Sequence, residues 1–158
     1  MGSGRVCLQV QAPISAPLDA ARAASARAQY RSVLYDTNFF IHLSGCTGAR
    51  NRDAALHFLS SHSAFPLYTS RICWAELAEG ASSPEAVNAL LSDYSIIEID
   101  ESVAWYTSRA AQLLKGAGRH IGDNDCWIAG TALAKGLPVV TRNTRHFSRV
   151  ARLEVVEY

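Results

Sequence analysis

Residues 33–38 read Val33-Leu34-Tyr35-Asp36-Thr37-Asn38: three β-prone apolar residues closed by a carboxylate and two short polar side chains. A run that is apolar at every position leaves no face for water, so it predicts a strand buried on both sides, as in parallel sheets. Asp36 then stands at the C-terminal end of that strand. Open parallel sheets gather their ligands in the crevice beyond that end.

Downstream, the pattern alternates. Residues 39–43 and 54–59 suit helices, interrupted around Gly45 and Gly48. Pro66-Leu67-Tyr68 reads as a second strand, after which Thr69 or Ser70 caps a helix running to Glu79, with Gly80 just beyond. Ser83-Pro84-Glu85 places proline at the first helical position and an acid in the first turn. Ile96-Ile97-Glu98-Ile99 is a third strand, and 102–115 a helix that stops at Gly116-Ala117-Gly118. A helix over about 124–135 ends at Gly136, Pro138-Val139-Val140 forms a strand, and Val155-Val156 an edge strand. Strands alternating with helices predict an α/β fold, a three-layer α/β/α sandwich around a short, mostly parallel sheet.

Upstream, residues 1–31 differ. They are rich in Ala, Ser, Pro and Arg, with Pro13 and Pro17 in the first half. The alanine-rich stretch 19–29 has the propensity for one short helix but no apolar stripe to pack it. The expected organisation is a weakly ordered extension over 1–31 and one folded domain over 32–158, a length that suits a single core.

An apolar content of 49% and a charged content of 18% are those of an ordinary globular protein. The longest apolar runs fall well short of the roughly 18 residues needed to cross a bilayer, and no apolar signal segment follows the first charges. A cytoplasmic protein without membrane contact is expected. Cys7, Cys46, Cys73 and Cys126 are scattered with no C-x-x-C pair, so no zinc-finger spacing is present, and Cys73 and Cys126 read as small buried hydrophobes.

The net charge of +1 hides an asymmetry. Arg5, Arg22, Arg27 and Arg31 face only Asp19 before residue 36, and the remaining chain carries more acids than bases. Its composition is not that of a basic nucleic-acid binder, so any grip on phosphate must come from a local patch or a metal ion. Lys135, Arg142, Arg145, Arg149 and Arg152 form such a run, with no acid after Asp125 until Glu154. This run reads equally as a solvated positive face or as a phosphate contact.

Three acids occupy suggestive places. Asp36 closes the first strand, Glu76 sits mid-helix among Ile72, Cys73, Trp74 and Leu77, and Asp125 opens a later helix. Thr141-Arg142-Asn143 closes the strand at 138–140. Crowded carboxylates repel and are held ionised best by a cation; hard oxygen donors suit Mg²⁺ or Mn²⁺. Such ions assist phosphodiester hydrolysis by activating water and stabilising charge on oxygen. No Ser-His-Asp order competes, and His42, His57, His62, His120 and His146 show no metal-ligand spacing. Each acid also has a structural explanation when taken singly: a turn residue at a strand end, a surface helix position, a helix-start residue favoured by the macrodipole.

In series, these segments carry a resemblance. Leu34-Tyr35-Asp36-Thr37-Asn38, Ser70-Arg71-Ile72-Cys73-Trp74-Ala75-Glu76-Leu77, and the block from Asp125-Cys126-Trp127-Ile128-Ala129 through Val140-Thr141-Arg142-Asn143 to Phe147 resemble the PIN-domain ribonucleases, above all the VapC-type toxins of bacterial toxin–antitoxin pairs. The resemblance implies a PIN-like fold and a metal-dependent endoribonuclease. Asp36, Glu76 and Asp125 match the acids that bind the metal, Mg²⁺ or Mn²⁺, and carry catalysis. Asn38, Thr141, Arg142 and Asn143 match the surrounding substrate pocket. The resemblance also implies an RNA substrate, a cognate antitoxin that plugs the acidic pocket, and a homodimer.

The chain departs from the pattern at two places. Asn143 stands where many relatives have a fourth acid, and His146 occupies a position before Phe147 that is often acidic in relatives. This leaves open one metal ion or two, and the roles of His146 and Asp123. The missing acid also motivates an alternative, a catalytically silent PIN module that binds RNA or a protein. A metal-dependent phosphatase is a third reading, opposed by the lack of a D-x-D pair at a strand end.

Overall fold

The computed structural model describes residues 32–62 and 64–158. The expectations for the N-terminal extension, its short helix and Cys7 fall outside the described residues. Five strands form one sheet: β1 (Val33–Tyr35), β2 (Leu67–Ser70), β3 (Tyr94–Ile97), β4 (Val139–Val140) and β5 (Val155–Val156). The described helices are α1 (Thr37–Leu43), α2 (Ala49–His62), α3 (Arg71–Ala78), α4 (Pro84–Leu90), α5 (Glu101–Gly116), α6 (Asp123–Lys135) and α7 (Thr144–Phe147).

The sheet order is β3-β2-β1-β4-β5 and every pairing is parallel. β1 is central, as its uninterrupted apolar run requires. Successive side chains of a strand point to opposite faces. Leu34 accordingly packs into a cluster with Cys73, Leu114, Cys126, Ile128 and Phe147, while Val33 and Tyr35 pack with Phe39, Phe40, Phe58, Leu77 and Val87. Each such buried side chain contributes roughly 1.5–3 kcal/mol. Two cores on opposite faces give the α/β/α sandwich.

Local signals set the boundaries. Ser70 caps α3 by accepting from the Cys73 amide, Ser83 caps α4 with Pro84 at its first position, and α6 ends on Gly136 at φ 63°. That left-handed conformation suits glycine. The third strand begins two residues earlier than the aliphatic run suggested. Tyr94 pairs with Leu67 and its ring meets those of Tyr35 and Phe40, whereas Ile99 lies outside the strand and is exposed. An aromatic anchor, not the β-branched run, fixes that register.

Cys73 and Cys126 are buried and free, as expected of small core residues. No described helix is long and apolar enough to cross a membrane.

Candidate active site at the carboxyl edge of the sheet

The register aligns Tyr35 with Thr69 on one side and with Val140 on the other. The residues that follow these strands therefore emerge together. Asp36 leaves β1, Ser70 opens α3 and so carries Glu76 one and a half turns on, and Thr141 leaves β4. Asp125 arrives separately, in the first turn of α6.

Asp36 is 2% exposed. Its Oδ2 accepts from the Thr141 hydroxyl at 2.7 Å and from the Asn38 amide at 3.2 Å, and its Oδ1 accepts from the Thr37 backbone N–H at 2.7 Å. Burial pushes its pKa up from 3.8 to about 6; the nearby Asp125 charge raises it too, while the three hydrogen bonds oppose the rise. Burial is the dominant cause, so the site holds a carboxyl group poised near neutral pH.

Glu76 accepts from the Thr37 hydroxyl through Oε2 and from Asn124 Nδ2 at 2.9 Å through Oε1. Asp125 Oδ2 lies 2.8 Å from His146 Nδ1 and accepts from Asn143 Nδ2 at 3.3 Å. The Asn143 backbone N–H in turn donates to the Thr141 hydroxyl at 2.9 Å. Glu76, Thr37, Asp36, Thr141, Asn143, Asp125 and His146 thus form one continuous polar network.

The sequence expectation is a single three-carboxylate ligand cluster. The three acids belong to one network, yet among the described residues no set of three or more His, Cys, Asp or Glu side chains closes on a single ion position. Each carboxylate has its own hydrogen-bonding partners: Thr141 and Asn38 for Asp36, Thr37 and Asn124 for Glu76, Asn143 and His146 for Asp125. The donor chemistry still fits a hard divalent ion, because two acids near enough to perturb each other present oxygen alone.

Other residues resolve differently. Asp123 is exposed and its Oδ1 lies 3.4 Å from His120 Nε2, so it does not supplement Asp125. His146, which the sequence left without a role, is a direct partner of Asp125. Thr37 and Asn124 were not singled out; their positions next to Asp36 and Asp125 were the available signal. Arg142 is exposed and lies 5.8 Å over the Tyr158 ring, whose hydroxyl shares a 2.7 Å hydrogen bond with His42 Nδ1. Lys135 leaves the basic run, since its ammonium pairs with Asp100 at 2.7 Å.

Comparison with known proteins identifies the family. The chain matches the PIN domain family over residues 33–153. It is similar to Ribonuclease VapC1 of Haemophilus influenzae (strain R2866), 33% identical over 95 residues, covering 56% of this chain and 71% of that one. It is also similar to the tRNA(fMet)-specific endonuclease VapC of Salmonella typhimurium, 30% identical over 106 residues, covering 60% of this chain and 80% of that one. Among solved structures, VapBC-1 from nontypeable Haemophilus influenzae aligns with a TM-score of 0.66 and 28% identity, covering 80% of this chain and 97% of that one. The DNA-bound VapBC of Salmonella typhimurium aligns with a TM-score of 0.63 and 27% identity, covering 81% and 98%.

Proposed function

The chain belongs to the PIN-domain family, and from that premise we propose that it is a metal-dependent endoribonuclease, the toxin of a type II toxin–antitoxin pair. The observation that carries the reading is the polar network joining Asp36, Glu76 and Asp125 at the carboxyl edge of the sheet. The named relatives are a ribonuclease and a tRNA endonuclease, and solved neighbours are toxin–antitoxin complexes. The reaction is hydrolysis of an RNA phosphodiester, in which water displaces one bridging oxygen at phosphorus.

Asp36, Glu76 and Asp125 would hold Mg²⁺ or Mn²⁺, which when bound polarises a phosphoryl oxygen and makes water a stronger nucleophile. The chain's own groups prepare that site. Thr141 and Asn38 orient the Asp36 carboxylate, Thr37 and Asn124 hold Glu76, and Asn143 and His146 hold Asp125. Such supporting hydrogen bonds fix the direction in which ligand oxygens point. Arg142, on the loop leaving β4, supplies positive charge for the RNA backbone. The antitoxin is the expected protein partner, a homodimer the expected assembly, and the cytoplasm the expected compartment.

One observation favours a second reading. The three acids do not converge on one ion position, and two donors already face Asp125, which suits a silent module that binds RNA or a protein without cutting. Incubation of the purified chain with unpaired RNA, with added Mn²⁺ or with EDTA, separates the two. The nuclease reading expects cleavage that EDTA abolishes; binding without cleavage at any Mg²⁺ or Mn²⁺ level selects the silent module.

A further inference from the structure

Away from the carboxylates, toward the amino ends of β4 and β5, an open groove of about 610 Å³ runs along α5. Its walls include Trp105 and Leu113 from α5, and Leu137 and Leu153 from the segments entering β4 and β5. Trp105 is 60% exposed and Leu113 66%, unusual for large apolar side chains on a helix that otherwise buries Val103, Ala110 and Leu114. From Trp105 to Ala117 the groove follows α5 for about 18 Å, the length of a helix of about twelve residues. Scattered exposed apolar residues need no explanation, but a contiguous set within one groove marks an interaction site.

The rim of the groove is basic. Arg109, Arg119, Arg149 and Arg152 line the groove, and none of them has an ion pair among the described residues. Arg109 instead lies 4.8 Å over the Trp105 ring. Glu154 is the lone acid of the lining. An apolar floor under an arginine rim is complementary to a segment with apolar residues on one face and carboxylates beside them.

The same charges disfavour the other occupants. A second copy docked by this face across a two-fold axis would set the arginine rim against itself. The chain's own residues 1–31 carry four arginines and a single acid, so they share the sign of the rim. Single-stranded RNA matches the charge and could stack on Trp105 or Tyr106, but Leu113, Leu137 and Leu153 make the rest of the lining aliphatic, where successive bases would find no ring to stack on.

We propose that the α5 groove is a protein-docking site that takes an acidic amphipathic helix from a partner, separate from the carboxylate pocket. Truncating or reversing either half of its chemistry will weaken docking without touching Asp36, Glu76 or Asp125.

Fluorescence anisotropy on the full chain tests this with a labelled designed peptide of about fourteen residues, leucines at three- and four-residue spacing flanked by glutamates. The proposal expects saturable binding that weakens with salt, and at least about tenfold weaker binding for the same peptide with lysines in place of the glutamates. Arg149→Glu with Arg152→Glu, and separately Leu113→Asp, should each lower affinity by about tenfold or more while circular dichroism and melting temperature stay unchanged. Asp125→Asn should bind the peptide as the parent does, which keeps this result independent of the nuclease reading. Absence of saturable binding, equal binding of the lysine peptide, tighter binding of an oligouridine in EDTA, or self-association abolished by Leu113→Asp would each overturn it.

Discussion

Thr141 Oγ1 donates a 2.7 Å hydrogen bond to Asp36 Oδ2, joining residues 105 positions apart at the ends of adjacent parallel strands. Through the Thr141 hydroxyl, which also accepts from the Asn143 backbone, the bond links the most buried acid of the site to the loop that holds Asp125.

Replacing Thr141 by valine keeps the shape and removes this bond, leaving Asn38 and the Thr37 amide to hold Asp36. A buried hydrogen bond to a charged group contributes about 1.5–3 kcal/mol. RNA cleavage by Thr141→Val should fall about tenfold or more, with the acid limb of its pH–rate profile moved to higher pH. Thr141→Ser should recover most of the loss. An unchanged profile in the valine variant would show that Thr141 does not support Asp36.

Asp36 also makes folding stability depend on pH. In divalent-free buffer the folded chain keeps this proton up to about pH 6, whereas an unfolded chain releases it near 3.8. Between those values the folded state binds more protons than the unfolded one, so the Asp36 contribution to stability is present at low pH and lost as pH rises through the window. A shift of this size corresponds to about 3 kcal/mol at most. Thermal melts in EDTA at about pH 7.5 should therefore find Asp36→Asn more stable than the parent, and unresponsive to added Mn²⁺ that stabilises the parent. A variant less stable than the parent in EDTA would contradict this assignment.

The contact of α5 with α6 rests on Gly130. A Cβ there would lie 2.7 Å from both the backbone N and the Cα of Thr107. No rotamer change relieves a clash with backbone, so Gly130→Ala must push the helices apart. Urea unfolding should show a loss of about 1–3 kcal/mol. Because α6 carries Asp125, cleavage should fall as well; a variant as stable as the parent would mean that Gly130 does not lie against the Thr107 backbone.

Much of the fold was legible because it rests on local rules. The apolar run at 33–35 placed the central strand, Ser70, Ser83 and Gly136 marked helix ends, and Pro84 opened α4. The third strand was misplaced because its register depends on Tyr94 packing against rings from β1 and α1, a contact no local pattern encodes. The site divides in the same way. Asp36, Asp125 and Thr141 stand at element ends, where strand-and-helix reading finds them. The partners of Glu76 and Asp125, namely Thr37, Asn124 and His146, come from tertiary contacts across 39, 48 and 21 residues respectively. Adjacency to Asp36 and Asp125 is the one local mark on Thr37 and Asn124, and it does not reveal which carboxylate each one meets.

Asp125→Asn tests the central claim most directly, because it removes one negative charge and preserves the shape of the side chain. With Mg²⁺ or Mn²⁺ present and the melting temperature unchanged, cleavage of unpaired RNA should drop at least about a hundredfold, roughly 2.7 kcal/mol of lost transition-state stabilisation. Isothermal titration of Mn²⁺ into the same variant should show weakened binding. Cleavage at the parental rate, with parental Mn²⁺ affinity, would mean that the carboxylates at the sheet edge are not the nuclease centre.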